Sequence, residues 1–222
     1  TELEEVREKV CNRGLVPVLA RCISEYGQAA PPAAVILFLE CILSFTQPCT
    51  LLRTCCPDIM NALLNADWTR ESAYIVAAHF ARLSSEFVTQ LEQSGVIDSA
   101  ALDLKTSSPY VRARAAAFLG NIYHHGGRST EFSAKVIPLL VEQLKDEYEP
   151  AAAAAAFAIG NAVYHTTEVG NFLSKSFESI AALLVTRDTK TSEYAALLLA
   201  NLLRRGDLYL PNALKSGCVE RL

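Results

Sequence analysis

The chain is 222 residues long and carries a formal net charge of −4, with a pI near 5.6, a balance that argues against a general nucleic-acid surface. Hydrophobic residues reach 51%, enough for a substantial core, yet charges punctuate every window and no run of about 18 apolar residues exists to span a bilayer. The seven cysteines are an odd number without a CxxC pair, most at apolar helical positions, as in reduced thiols of a cytoplasmic protein.

Thr1-Glu2-Leu3-Glu4-Glu5 reads as a helix cut from something longer, so the chain is expected to be a fragment with partial repeats at both ends. An apolar helix start then recurs beside a glycine or proline: Gly14-Leu15-Val16-Pro17, Cys56-Pro57-Asp58-Ile59, Gly95-Val96-Ile97-Asp98, Lys135-Val136-Ile137-Pro138, Ser176-Phe177-Glu178-Ser179 and Gly217-Cys218-Val219-Glu220. From Pro17 through Asp58, Asp98, Pro138 and Ser179 to Glu220, the spacings are 41, 40, 40, 41 and 41. A fixed period of that size marks a helical array, here one continuous domain over residues 1–222 with about five repeats. Cys49, Cys55 and Cys56 match no standard zinc spacing and have no neighbouring His, so no metal site is expected.

Each unit reads as three helices. A short first helix, as in Glu86–Gln93 or Thr130–Ala134, runs into the second, whose apolar residues recur at three and four, as in Val136, Leu139, Leu140 and Leu144. A polar break follows at Asp103–Ser107, Asp146–Glu149 and Arg187–Lys190, and Trp68 sits in an earlier one as a plug over the repeat interface. The longer third helix often begins at proline, at Pro32, Pro109 and Pro150, where a missing N–H is harmless, and Ser108 is the N-cap expected before Pro109. Val111, Ala115, Phe118, Leu119 and Ile122 form its apolar stripe.

The third helices carry the most self-similar strings: Ala115–His125 with Phe118-Leu119-Gly120-Asn121, Ala155–His165 with Phe157-Ala158-Ile159-Gly160-Asn161, and Ala195–Arg205 with Ala200-Asn201. A mid-helix glycine costs roughly 1 kcal/mol against alanine, so Gly120 and Gly160 imply a neighbouring helix too close for a Cβ. The run Ala151–Ala156 implies close packing of the same kind. The first two units are less regular, with Ala33–Ser44 and Ser72–Ser85 at the third-helix position.

This three-helix unit resembles the armadillo repeat, which implies an all-α fold, a right-handed α-solenoid of armadillo/HEAT-like repeats. More narrowly, Phe157–His165 followed by Lys190-Thr191-Ser192-Glu193-Tyr194-Ala195-Ala196 and Ala200-Asn201-Leu202-Leu203-Arg204 resembles the C-terminal armadillo-like region of Fused-type serine/threonine kinases. That resemblance spans Ser108–Leu222. It implies a regulatory, non-catalytic region downstream of a kinase domain, with a protein partner such as a kinesin-like protein, or the kinase domain itself in an intramolecular contact. It also implies a cytoplasmic, cytoskeletal or ciliary setting.

In armadillo folds the third helices line a concave groove into which an asparagine points. The matching ladder is Arg82, Asn121, Asn161 and Asn201, and importin-type members place a tryptophan four residues earlier, where this chain has Ala78, Ala117, Phe157 and Leu197. The missing tryptophans weigh against an importin-like cargo adaptor. An Asn amide can grip both an N–H and a C=O of a bound backbone, but it can equally bond the backbone of the next repeat. Four residues further, Glu86, His125, His165 and Arg205 share one face. Arg112, Arg114, Arg128, Arg204 and Arg205 gather on the later third helices, either to receive an acidic segment or to pair with Glu147, Glu149 and Asp188.

No Gly-rich phosphate loop, Gly-x-Ser-x-Gly elbow or recurring acid pair appears, so neither catalysis nor a cofactor is expected. The expected function is a protein-interaction scaffold whose groove is built from Arg82, Arg114, Asn121, His125, Phe157, Asn161, His165, Tyr194, Leu197, Asn201 and Arg205. The alternative is a solenoid that self-associates or docks onto its kinase; the oligomeric state is not readable.

Overall fold

The computed structural model describes residues 70–222 apart from 127, 167, 206 and 207, together with Glu5, Val18, Met60, Asn61 and Leu64. The expectations for the six cysteines from Cys11 to Cys56, for Pro17, Pro32 and Pro57, for Ala33–Ser44 and for Trp68 lie outside those residues. Every regular element among the described residues is helical. The contacts divide the chain into two compact units, Thr1–Ser99 and Ala100–Leu222.

In the first unit, helix α1 (Arg70–Leu83) buries Tyr74, Val76, Phe80 and the small Ala73, Ala77 and Ala81. Ser84 then breaks the chain, its hydroxyl accepting the N–H of Glu86 at 3.2 Å, and α2 (Ser85–Gln93) begins. Phe87 on α2 meets Phe80 on α1 with ring centroids 5.0 Å apart, which locks the two helices at their shared turn. Gly95, at φ +72, separates α2 from α3 (Val96–Asp103) in a backbone conformation that other residues adopt only at a cost.

The second unit shows what happens without that glycine. At the matching position stands Lys135, and the expected first and second helices run together as α5 (Thr130–Gln143), with Pro138 inside it. A left-handed residue costs an L-amino acid about 1–2 kcal/mol, so the helix continues where the glycine is missing. Gly217, at φ +73, restores the break between α9 (Leu210–Lys215) and the single 3₁₀ turn Val219–Arg221. In the intervening repeat the first helix is a 3₁₀ segment, Glu168–Leu173, followed by α7 (Phe177–Leu184).

The third helices are α4 (Pro109–His124), α6 (Glu149–His165) and α8 (Thr189–Leu203). Ser108 caps α4, accepting from Val111 N at 3.5 Å, and Asp188 caps α8 through Thr191 N at 2.8 Å. Helix α6 packs against α4 on one side and α8 on the other, with α5 and the Glu168–Leu173 segment also against it. That crowding explains the alanine run: Ala151–Ala156 are buried all the way round, which only a side chain no larger than a methyl permits on every face. The stripe expected on α4 is buried at Ala115, Phe118, Leu119 and Ile122. Tyr123 closes this core, its hydroxyl donating to Ser133 Oγ on α5 at 3.4 Å.

Candidate functional site

Neighbouring third helices are joined by side chains that reach back one repeat to a backbone carbonyl. Asn161 Nδ2 donates to Gly120 O at 2.9 Å, and Asn201 Nδ2 to Gly160 O at 3.0 Å. Both asparagines are 8% exposed. A helix carbonyl has a second lone pair beyond its own intrahelical bond, and the amide uses it. Of the two options open to these asparagines, their N–H groups take the repeat-to-repeat bond, directed to the preceding repeat. Asn121 occupies the same position on α4 and is half-buried.

Four residues on, the side chains reach the orphan carbonyls that every helix leaves at its C-terminus. Arg205 donates through Nε and a terminal nitrogen to Val163 O, at 3.2 and 2.9 Å, and to Tyr164 O at 2.6 Å. His165 Nε2 lies 3.3 Å from His124 O. Elsewhere Gln143 Nε2 bonds Leu104 O at 2.8 Å, Arg221 bonds Ala181 O at 2.8 Å, and the buried Cys218 thiol bonds Phe177 O at 3.3 Å. Burial pushes that thiol's pKa up, against the smaller effect of the Ser216 hydroxyl.

Phe157, at the position importin-type proteins give to tryptophan, is half-buried and lies over Gly120. A Cβ added to Gly120 would overlap its ring and come within 3.2 Å of Ala158 Cα, so the close approach expected from the glycine holds there. At Gly160 a Cβ would sit 3.4 Å from Leu198 Cα, an ordinary contact, so the same reasoning does not extend to that glycine.

On its far side Phe157 meets Tyr194 of α8, centroids 5.0 Å apart, and Lys190 Nζ stands 5.7 Å from the Tyr194 ring. Towards the C-terminal ends of the same helices, the Arg204 guanidinium lies over the Tyr164 ring at 3.9 Å, and its hydrogen bonding and charge hold the phenol below its ordinary pKa. Because these two contacts join α6 and α8 at both ends, the residues between them share their face: Leu197, 41% exposed, and the buried Asn201. The floor is α6, where Ala153 and Ala154 keep only 7% exposure. Across it α4 turns Arg114 and Tyr110 outward, with His124 and His125 exposed at its C-terminal end.

Phe157, Asn161, His165, Tyr194, Leu197, Asn201 and Arg205 are therefore gathered along α6 and α8, with Asn121, His125 and Arg114 on α4. Arg82, in the last turn of α1, is exposed in the first unit. Tyr110, Tyr164 and Lys190 join the face without having been singled out from sequence; the signal was the spacing of Tyr164 and Arg204 by one repeat. Arg112 finds its partner not in Glu147, Glu149 or Asp188 but in Asp146, at 2.7 and 2.9 Å, while bonding Thr106 O and Ser107 O. Arg112 in turn holds the Asp146 carboxyl below the usual carboxylate range, helped by the Tyr148 N–H.

Among the described residues no three His, Cys, Asp or Glu side chains are grouped to hold a metal ion, and no helix is long and apolar enough to cross a membrane.

The class defined by this stacking is the armadillo-repeat solenoid, and solved structures agree. The chain is similar to a designed armadillo repeat protein in complex with the peptide (KR)4, with a TM-score of 0.73 at 17% identity over 93% of this chain and 89% of that one. It is similar to computationally designed armadillo repeat proteins for modular peptide recognition, with a TM-score of 0.72 at 16% identity over 93% and 90%. An engineered protein matches with a TM-score of 0.74 at 20% identity over 91% and 88%. No protein-family model and no curated protein matches the chain. The likenesses show the fold, all-α and armadillo-like.

Proposed function

We propose that the chain is a non-catalytic scaffold that binds an extended segment of a protein partner across α4, α6 and α8. The observation that carries this is the recessed floor of Ala153, Ala154 and Asn161 between the exposed Arg114 and Tyr110 on one side and Leu197 and Arg204 on the other. A shallow trough of that form suits an extended chain better than a compact ligand, and affinity accumulates over several repeats. Two of the similar designed proteins are described by their peptide recognition, one with a bound peptide.

The further placement, as the regulatory region of a Fused-like kinase with a kinesin-like, cytoskeletal or ciliary partner, or with the kinase domain docked on it, rests on the strings over Ser108–Leu222. Self-association is the second reading, favoured by Leu208, Leu210 and Leu214, which are 69%, 37% and 49% exposed around α9.

Leu197→Asp combined with Tyr110→Ala tests the groove, because both side chains are exposed and neither substitution removes a repeat-to-repeat hydrogen bond, the one contact given up being the Tyr110 edge on Tyr148, with ring centroids 5.1 Å apart. Tyr148→Ala, which gives up the same contact, is the control for its effect on the melt. Partner capture is expected to fall at least tenfold with an unchanged helical melt. Equal capture by both forms moves the interaction to another face. Concentration-dependent light scattering that disappears in Leu210→Asp/Leu214→Asp supports self-association instead.

A further inference from the structure

We propose, resting on the groove assignment above, that the partner segment is acidic, with its carboxylates held along the C-terminal ends of the third helices and its apolar side chains on Phe157 and Leu197. The chain as a whole is acidic, yet its charge is sorted. Helix α4 contains no Asp or Glu, and the acidic residues of α6 and α8 are Glu149 and Glu193, both in the N-terminal halves. At the opposite ends stand His124, His165, Arg204 and Arg205.

These groups form one line. His165 touches the His124 carbonyl, Arg205 the carbonyls of Val163 and Tyr164, and Arg204 the face of Tyr164. Arg204 is the group with capacity to spare. One terminal nitrogen makes a long 3.4 Å contact to Tyr164 O and the guanidinium also acts on the Tyr164 phenol, but among the described residues no carboxylate lies against it. A guanidinium held flat on an aromatic ring keeps its edge for a bidentate carboxylate. His124 adds an N–H donor in either protonation state, whereas the single N–H of neutral His165 is given to the His124 carbonyl. At the other end of α8, Lys190 beside Tyr194 supplies a second exposed cation. The designed protein carrying (KR)4 offers the contrasting case of a basic peptide. Here a basic segment would meet like charge.

The test is fluorescence anisotropy of the full 222-residue chain with labelled eight-residue probes: alternating Glu-Leu, alternating Lys-Leu, alternating Ser-Leu, and an oligothymidylate of eight nucleotides. The expected result is Glu-Leu binding at least tenfold tighter than the other three and weakening with added salt. The Lys190→Glu/Arg204→Glu variant, both positions exposed, should lose at least tenfold for Glu-Leu; Arg204→Ala, which gives up the same stack on Tyr164 without adding a negative charge, should lose less. Tighter binding of Lys-Leu or Ser-Leu overturns the acidic assignment and leaves the groove standing. Tighter binding of the oligothymidylate overturns it in favour of nucleic acid. If no probe binds, the acidic assignment fails, and the groove is then judged separately by the Leu197/Tyr110 capture.

Discussion

Two joints of the same solenoid, α4 to α6 and α6 to α8, are made from one pattern and filled differently. Both use an Asn amide on a glycine carbonyl one repeat back, at 2.9 and 3.0 Å. In the first joint the residue four before the asparagine is Phe157, laid over Gly120; in the second it is Leu197, left 41% exposed. The hydrogen bond sets the register between helices, while the neighbouring side chain decides whether the trough beside it is filled or open.

The largest contrast is expected at the glycines. Gly120→Ala forces the Phe157 ring aside and presses on Ala158, an overpacking cost of about 1–3 kcal/mol that exceeds the roughly 1 kcal/mol gained in helix propensity. Gly160→Ala meets only ordinary contacts and should stabilise by up to about 1 kcal/mol. Urea unfolding followed by circular dichroism separates them, and Phe157→Ala should relieve the Gly120→Ala cost in a double-mutant cycle. Equal effects at both glycines would mean that Phe157 does not distinguish the joints.

Asn161→Ala and Asn201→Ala should each cost about 1–2 kcal/mol, one buried hydrogen bond plus the void left behind. The shared pattern requires the two losses to be similar. A loss at Asn161 alone would show that the second joint is held by Arg205 rather than by its asparagine.

The polar breaks differ as well. Asp146 receives Arg112 from α4, whereas Asp188 turns inward to the Thr191 N–H and hydroxyl at 2.8 and 2.6 Å. Asp146→Asn should cost about 1–2 kcal/mol, between the values of exposed and buried ion pairs. Because the folded pKa of Asp146 is lowered, its contribution is present above the ordinary Asp pKa and is lost as pH falls through the lowered one. An acid titration of stability in the parent and in Asp146→Asn checks that sign; parallel curves would remove the ion pair from the account.

A last contrast appears only at high pH. Burial pushes the Tyr123 phenol from 10.0 up to about 12, so the stability it contributes is intact below pH 10 and declines as pH rises towards 12. Tyr123→Phe should flatten that decline.

Much of this was legible in the sequence, because a period of 40–41 fixes which residues recur on a helix face. It showed the third helices, the Ser108 cap and the buried stripe of α4. It separated α2 from α3 at Gly95 but did not show that their counterparts merge in α5, since the difference is one left-handed glycine, Gly95 against Lys135. Nor could periodicity assign a hydrogen-bond partner. Arg205 shares a face with Asn201, and only the position of the preceding helix end shows that it serves Val163 and Tyr164. Its neighbour Arg204 lies instead against the Tyr164 ring and stays exposed.

The repeat-to-repeat bonds described above have an asymmetry with consequences for descent. In those that reach back about forty positions, apart from Arg112 with Asp146, the donors are varied side chains of Asn, Arg, His, Gln and Cys, while the acceptors are main-chain carbonyls. A carbonyl is the same whatever codon specifies its residue. Each repeat therefore meets a neighbour whose half of the handshake cannot mutate away, so units can drift, duplicate or be exchanged one at a time while the stack stays in register, and the outward residues are left free to follow a changing partner.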